Sequence, residues 1–386
     1  MASVSVIIVN YNVKHYIEQC LNSLLRSVPD AQIIVVDNNS KDGSVEYLRE
    51  RFPMVNLIAN SENVGFGRAN NMALQYAESR YVLFLNPDTV VAERTIPYCV
   101  EYMDSHPDIG SAGVRMLYGD GRFAFESRRA LPTPKVAFWH MTGLGRLFPK
   151  SRVFARYHMT YEDPMRDCDI DVVSGAFMFV RKSVLDRVGG FDEAFFMYGE
   201  DIDLSYRILM HGYKNRYLPV PIIHYKGEST IKTTYRYAKV FYDAMMIFYN
   251  KHFRRSSRFL TPFVKIAVGL KKIGTFLGQN LFYRHRMSAD YSQRSLFIGR
   301  KEMFPNVVAL AGKSSYLKDV SFVEGSKNIH ADINVDNIQA VIFDIEVFSF
   351  DTLLDWINDM ACSGRRITMG LYSSKTGRLI TETEVL

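Results

Sequence analysis

Cysteine is scarce: the chain of 386 residues has four, Cys20, Cys99, Cys168 and Cys362, and no CxxC pair among them. That spacing excludes a disulfide framework and a thiolate zinc centre, and it suits a reducing cytosol. Long hydrophobic runs are missing too. No stretch of about 18 uncharged apolar residues occurs, so no transmembrane helix is expected. The opening MASVSVIIVNYN has no basic stretch ahead of its short apolar run, so no secretory leader is expected. Internal repeats and low-complexity tracts are absent. What is present is a folded composition: 47% of residues are apolar, which excludes a disordered tail.

Acidic residues are scarce in one place. Between Lys251 and Lys301 there are twelve Lys or Arg against one acid, Asp290. From Glu302 to the end there are seven basic and twelve acidic residues, and the first 250 residues hold 28 of each sign. The three parts therefore carry about 0, +11 and −5 of the net +6, which points to regions with different partners.

Over the first 110 residues strand and helix alternate. SVSVIIV (3–9), AQIIVVD (31–37), VNLIAN (55–60) and YVLFLN (81–86) are short, strongly apolar runs. VKHYIEQCLNSLLRS, GSVEYLRERF and GRANNMALQYAESR have helical spacing between them. Apolar strands alternating with helices imply a mostly parallel sheet covered on both faces, which binds ligands outside the carboxyl ends of its strands. Polar residues gather at those ends: Asn10 to Asn12, Asp37 to Ser40, Asn60 to Asn63, and Asn86 to Asp88. Farther on, a strand (171–180), a short helix (182–188), a helix from Glu200 to His211 and a strand ending near His224 are expected. Near the C terminus NVVALAG, AVIFDI and ITMGLY read as strands, and SFDTLLDWINDMACSG as a helix closed by Gly364. The expected division is 1–235, a helical basic segment over 236–302, and a small α/β unit over 303–386.

Three stretches can carry chemistry. In LFLNPD an apolar strand runs into Asp88, a costly position for a carboxylate without a partner. YGEDIDL places Glu200, Asp201 and Asp203 at the mouth of a glycine-rich loop. A solvated acidic first turn would account for them, but the preceding FDEAFFMYG is strongly apolar, and a carboxylate held there can serve as a base. His224 follows another apolar strand. A lone histidine there is more often structural, yet with Asp88 it can share one hard divalent cation.

VSVIIVNYN, IIVVDNNSKDGS, NVGFGRANN, LFLNPD, GEDIDLSYRI and HYKGEST follow in that order. Together they resemble an inverting glycosyltransferase of family 2, with the GT-A fold (a Rossmann-like, mostly parallel α/β sheet), and within it the rhamnosyltransferase-like branch. The resemblance covers residues 3 to 235. It implies that Asn10, Tyr11 and Asp37 hold the nucleotide base and ribose, with Asn60 and Arg68 lining the same pocket. It makes Asp88 the metal-binding position at the sugar-nucleotide diphosphate and Asp201 the general base. His224 would complete the site for a divalent cation, Mg²⁺ or Mn²⁺, or contact the diphosphate. Asn86 replaces the first carboxylate of the DXD pattern, which weakens the metal expectation and favours the rhamnosyltransferase-like branch. Were the metal role to fail, Arg128 and Arg129 would be candidates to neutralise the diphosphate. Neither tryptophan, Trp139 nor Trp356, stands in the Gln-x-x-Arg-Trp stretch of processive synthases, so single-sugar transfer is expected.

The implied donor is a nucleotide-diphosphate sugar, dTDP-rhamnose for this branch, and the acceptor a glycan or lipid-linked glycan of cell-surface polysaccharide synthesis. Two rivals stand beside this reading. GFGRAN (65–70) resembles a dinucleotide-binding G-x-G-x-x-G, but it ends in Asn70 and follows the third strand. A non-catalytic sugar- or membrane-binding module on the same fold is the other. Over 259–282 Phe259, Phe263, Ile266, Leu270, Ile273, Leu277 and Leu281 recur at steps of three or four. A basic amphipathic helix of this kind suits an anionic membrane surface, which would place the protein peripherally on the cytoplasmic face. No nucleic-acid recognition motif is found.

Overall fold

The computed structural model describes residues 3–225, 235–253, 293–326 and 333–386. Its larger sheet starts with β1 (Val4–Asn10), β2 (Gln32–Asp37), β3 (Asn56–Ala59) and β4 (Tyr81–Leu85), parallel in the order β3-β2-β1-β4. Helices α1 (Lys14–Ser27), α2 (Ser44–Arg51) and α3 (Phe66–Leu74) connect them. Every residue of β1 is buried, because helices cover both faces of the sheet. Val4, Val6 and Ile8 pack in one apolar layer with Ile17, Leu21 and Leu24 of α1. Ile7 and Val9 point the other way, towards Ala69 and Ala73 of α3.

The sheet continues with β5 (Thr89–Val91), α4 (Thr95–Ser105), β6 (Ile109–Leu117), β7 (Cys168–Ile170), β8 (Phe177–Arg181), α7 and α8, and β9 (Lys214–His224). Two short helices, α5 (Pro134–Met141) and α6 (Leu144–Leu147), lie between β6 and β7; α7 is Lys182–Val188 and α8 is Glu200–Met210. β8 runs antiparallel to β4 and β6, while β6 and β9 are parallel. The fold class is as expected: mixed α/β with a large, mostly parallel sheet.

A second sheet has the order β11-β10-β12-β13-β14. Its strands are β10 (Gln293–Gly299), β11 (Leu317–Glu324), β12 (Ala340–Asp344), β13 (Thr368–Ser373) and β14 (Arg378–Ile380). Three expectations need correction. NVVALAG is not a strand but the body of helix α10 (Phe304–Ala311), which has Pro305 in its first turn. Its apolar run is compatible with either state, and proline in the first turn marks the helix. The strand expected over 171–180 begins only at Phe177. The second sheet takes in β10, from the stretch assigned to the basic helical segment. Within that segment α9 (Tyr235–His252) is helical; the expected helix over 259–282 lies outside the described residues. Among the described residues no helix is long and apolar enough to cross a membrane.

The two sheets share one apolar layer, in which Val13, Tyr16, Val90, Leu117 and Tyr225 pack with Phe343, Phe348, Leu353 and Leu354. Charged contacts surround it. Arg26 donates to the carbonyls of Ile345 and Phe348, and Arg94 pairs with Asp355. Glu93 accepts the backbone N–H groups of Phe350 and Asp351, at 2.9 and 2.7 Å. These open α11 (Phe350–Cys362), so a carboxylate from the first unit satisfies orphan donors of a helix in the second.

Candidate functional site

β1 and β2 end side by side, with Asn10 in register with Asp37. The Asn10 amide donates to Asp37 at 2.8 Å and to Ser40 at 3.2 Å, and Asp37 also accepts the Ser40 N–H at 2.8 Å. Both side chains are buried, and Asn10 Oδ1 has no partner. Tyr11 follows on the exposed side. Asn60 donates to Asn38 at 3.0 Å, and Asn38 reaches the Gly65 carbonyl at 3.1 Å, where α3 begins. Arg68 is not brought into this network. It is 60% exposed, and Glu193 lies 3.9 Å away.

Gly65 connects the first part of the site to the next. Its φ is +89°, and a Cβ there would lie 2.6 Å from the Phe196 carbonyl. That carbonyl also accepts the Phe66 N–H at 2.8 Å. The start of α3 is therefore engaged by protein, which speaks against its use as a dinucleotide phosphate cradle. The Phe196 loop turns at Tyr198 and Gly199, with φ of 67° and 87°, directly into Glu200 and Asp201. Consecutive left-handed residues, one of them tyrosine, are strained backbone held by its surroundings.

The three acids of this turn have separate environments. Asp203 is fully buried and receives hydrogen bonds from Arg207, Lys251 and His252 at 2.7, 2.8 and 2.7 Å. It is a structural hub joining α8 to α9. Asp201 accepts the Gly175 N–H at 3.2 Å and the Ile202 N–H at 2.8 Å, and its Oδ2 is ion-paired with Arg129. Glu200 is buried, and its Oε2 has no partner. Burial, and then the neighbouring Asp201 charge, push Glu200 up to about 8.

That value makes a prediction. The folded pKa of Glu200 lies above the ordinary 4.5, so the folded protein holds this proton more tightly than the unfolded chain. Stability associated with it falls as pH rises from the ordinary value towards the folded one, and stays low beyond. Glu200→Gln, which cannot ionise, should gain Tm relative to wild type on going from about pH 6 to about pH 9. A pH-independent Tm difference in a thermal melt would count against the buried, protonated Glu200.

Asp88 stands beyond the end of β4 and is 4% exposed. β5 pairs antiparallel with β9 and sets Thr89 opposite His224. His224 Nε2 thus lies 3.3 Å from Asp88 Oδ1 and 3.3 Å from the Asn86 amide. No hydrogen bond satisfies that buried oxygen. Among the described residues no three His, Cys, Asp or Glu side chains gather into a metal cluster. Among the described residues Asp88 and His224 are the ligands offered here, an oxygen and a nitrogen that fit a divalent cation completing its shell from outside this pair.

A turn of three residues, Ser174 to Ala176, joins the two acids. The Asn86 N–H donates to the Ala176 carbonyl at 3.0 Å, while the Gly175 N–H holds Asp201. The structure thus brings Asn10, Asp37, Asn60, Asp88, Asp201 and His224 to one end of the large sheet. The sequence reading missed Arg129 as the partner of Asp201. It named Arg128 and Arg129 together, and the structure separates them. Arg128 is buried, donates to the carbonyls of Asp163 and Glu162 at 2.9 and 3.0 Å, and stacks on Phe123 and Tyr217. Those contacts make it structural, not a diphosphate ligand.

Residues 5–189 match the family model described as glycosyl transferase family 2. The N-acetylglucosaminyl-diphospho-decaprenol L-rhamnosyltransferase of Mycobacterium tuberculosis is 29% identical over 238 residues, covering 58% of this chain and 76% of that protein. The rhamnosyltransferase WbbL of Escherichia coli K12 is 28% identical over 283 residues, 67% of this chain and all of that protein. A solved mannosyltransferase from Pyrobaculum calidifontis, in complex with GDP-mannose and Mn²⁺, is 20% identical with a TM-score of 0.40; the match covers 58% of this chain and 56% of that one.

Proposed function

We propose that this chain, whose residues 5–189 match glycosyl transferase family 2, is a glycosyltransferase that moves one sugar, with inversion, from a nucleoside-diphosphate donor to a hydroxyl of a glycan or lipid-linked glycan. The arrangement that carries the proposal is the pair of buried acids fixed on either side of the Ser174–Ala176 turn. Asp88 has an unsatisfied oxygen beside His224, and Asp201 is held by two backbone amides.

Asn10, Asp37 and Asn60 would receive the nucleoside, with Tyr11 at the open side. Asp88 and His224 would hold a divalent cation, which when bound neutralises diphosphate charge and orients the leaving group. Asp201 would accept the proton from the acceptor hydroxyl as that oxygen attacks the anomeric carbon and the bond to the nucleoside diphosphate breaks. One base and no protein nucleophile give inversion, through an oxocarbenium-like transition state of the kind known in glycoside hydrolysis. Arg129 orients Asp201 through their ion pair in the meantime.

The two rhamnosyltransferase relatives support rhamnose as the sugar moved, and the mycobacterial one a lipid-linked saccharide as acceptor; dTDP-rhamnose is the donor inferred here. A panel of dTDP-, UDP- and GDP-sugars, with Mn²⁺ present, tests this by thermal shift followed by transfer to a lipid-linked saccharide. A ligand at 100 times its Kd adds about 2.7 kcal/mol to folded stability, a clear rise in Tm. dTDP-rhamnose is expected to give the largest rise. A larger response to another sugar would reassign the donor, and no response or transfer with any of them would end the proposal.

A further inference from the structure

The stretch from Ser127 to Tyr161 contains no Asp or Glu and seven Lys or Arg. Arg128 and Arg129 turn inward, as described; Lys135, Arg146, Lys150, Arg152 and Arg156 are exposed. The same stretch forms the α5–α6 hairpin, which displays large apolar side chains to solvent. Leu147 is 72% exposed, Phe138 53%, Phe148 52% and Val153 51%. Ring contacts make these one strip: Phe138 meets Trp139 and Trp139 meets Phe154 at 4.9 Å, and Phe154 meets Phe148 at 5.5 Å. A Cβ on Gly145 would lie 2.8 Å from the Phe154 carbonyl, so α6 is pressed against this strip.

The hairpin is rooted in the candidate site. Arg129, five residues before α5, pairs with Asp201. Ala130 donates to the Tyr157 carbonyl at 3.0 Å, closing the base of the excursion. Thr133 caps α5 by accepting the Val136 N–H.

We propose that the α5–α6 hairpin docks on an anionic phospholipid surface, its apolar strip entering the headgroup boundary and its basic rim contacting lipid phosphates. Arg152 pairs with Glu162 at 3.3 Å and Arg156 lies 3.9 Å from Asp171, so Lys135, Arg146 and Lys150 are the rim cations outside any ion pair among the described residues; an exposed apolar patch with such a rim marks an interaction surface. Apolar area and positive charge together are what an anionic interface binds. A protein partner would meet the strip equally well, but it would not by itself call for the exposed cations Lys135, Arg146 and Lys150 beside it. Docking here would bring the Asp201 end of the sheet to the membrane, where a lipid-linked acceptor is held. The docking itself does not depend on the transferase reading, because it is measured without donor or acceptor.

The test is flotation of the full chain with phosphatidylcholine vesicles, with and without phosphatidylglycerol. Wild type should float with the anionic vesicles at low salt and be released as salt rises. Leu147→Asp with Phe148→Asp, and separately Lys135→Glu with Arg146→Glu and Lys150→Glu, should each cut the bound fraction roughly tenfold or more with Tm unchanged. Wild-type binding by these variants would overturn the proposal, as would equal recovery with neutral vesicles or a loss confined to charge reversal at Lys265, Lys271 and Lys272. A second measurement needs no change in the hairpin. In a Trp356→Phe background Trp139 is the one tryptophan left, and brominated lipid should quench it. An unquenched Trp139 on bound protein would place the hairpin away from the bilayer and refute the proposal.

Discussion

Asp201→Asn is expected to lower turnover by roughly 10²–10⁴-fold while leaving donor binding near wild type, the range for loss of a general base. The amide keeps the shape, and its single oxygen can still accept the Ile202 N–H, while the Gly175 N–H, which bonds the other carboxylate oxygen, loses its acceptor. What it loses is basicity and the charge that pairs with Arg129. Glu200 is the competing base, and the two separate cleanly. At neutral pH Glu200, with a pKa of about 8, is mostly protonated and cannot accept a proton from the acceptor hydroxyl. Glu200→Gln should therefore retain most activity in the same assay. Single-turnover measurements on both variants decide it: an active Asp201→Asn with an inactive Glu200→Gln would reverse the assignment.

Asp88→Asn should cost on the order of 10²–10³-fold in kcat/KM, the range for removing one group that stabilises charge developing in the transition state. It should also abolish stimulation by Mg²⁺ or Mn²⁺. Its backbone carbonyl still accepts the Tyr225 N–H at 2.9 Å, so the β5–β9 pairing survives the change. The variant should weaken donor binding, in contrast to Asp201→Asn, which should not. Wild-type activity that is indifferent to a chelator, or a variant still stimulated by metal, would remove the metal from the site.

Much of this was legible in the sequence, for a physical reason. β1, β2 and β4 are buried on both faces, so burial is written into them as near-continuous Val, Ile, Leu and Phe, and the polar residues that end them stand out. β11 was not legible: it alternates between partly buried and exposed positions and carries charge, so its apolar signal is diluted. NVVALAG was ambiguous because five apolar residues fit either element, and Pro305 settles it only once a helix is considered. The acids of YGEDIDL are alike in sequence. What divides them is Lys251 and His252 reaching Asp203 from 48 and 49 residues away, and Arg129 reaching Asp201 from 72. Pairings at such separation leave no local pattern to read.

The apolar layer shared by the two sheets limits how the chain can be cut. A fragment ending near residue 235 contains the family-matched region and every residue of the candidate site, and looks like a natural unit to express alone. It would be left with Val13, Tyr16, Val90, Leu117 and Tyr225 facing water, and with Arg26 and Arg94 stripped of their acceptors. Tyr225 is bonded through its backbone to Asp88 and adjoins His224, so the raw edge of such a fragment would run beside the Asp88–His224 pair. The C-terminal unit, whatever else it does, is the back wall of that part of the site, and a trimmed enzyme would be expected to aggregate before it could be assayed.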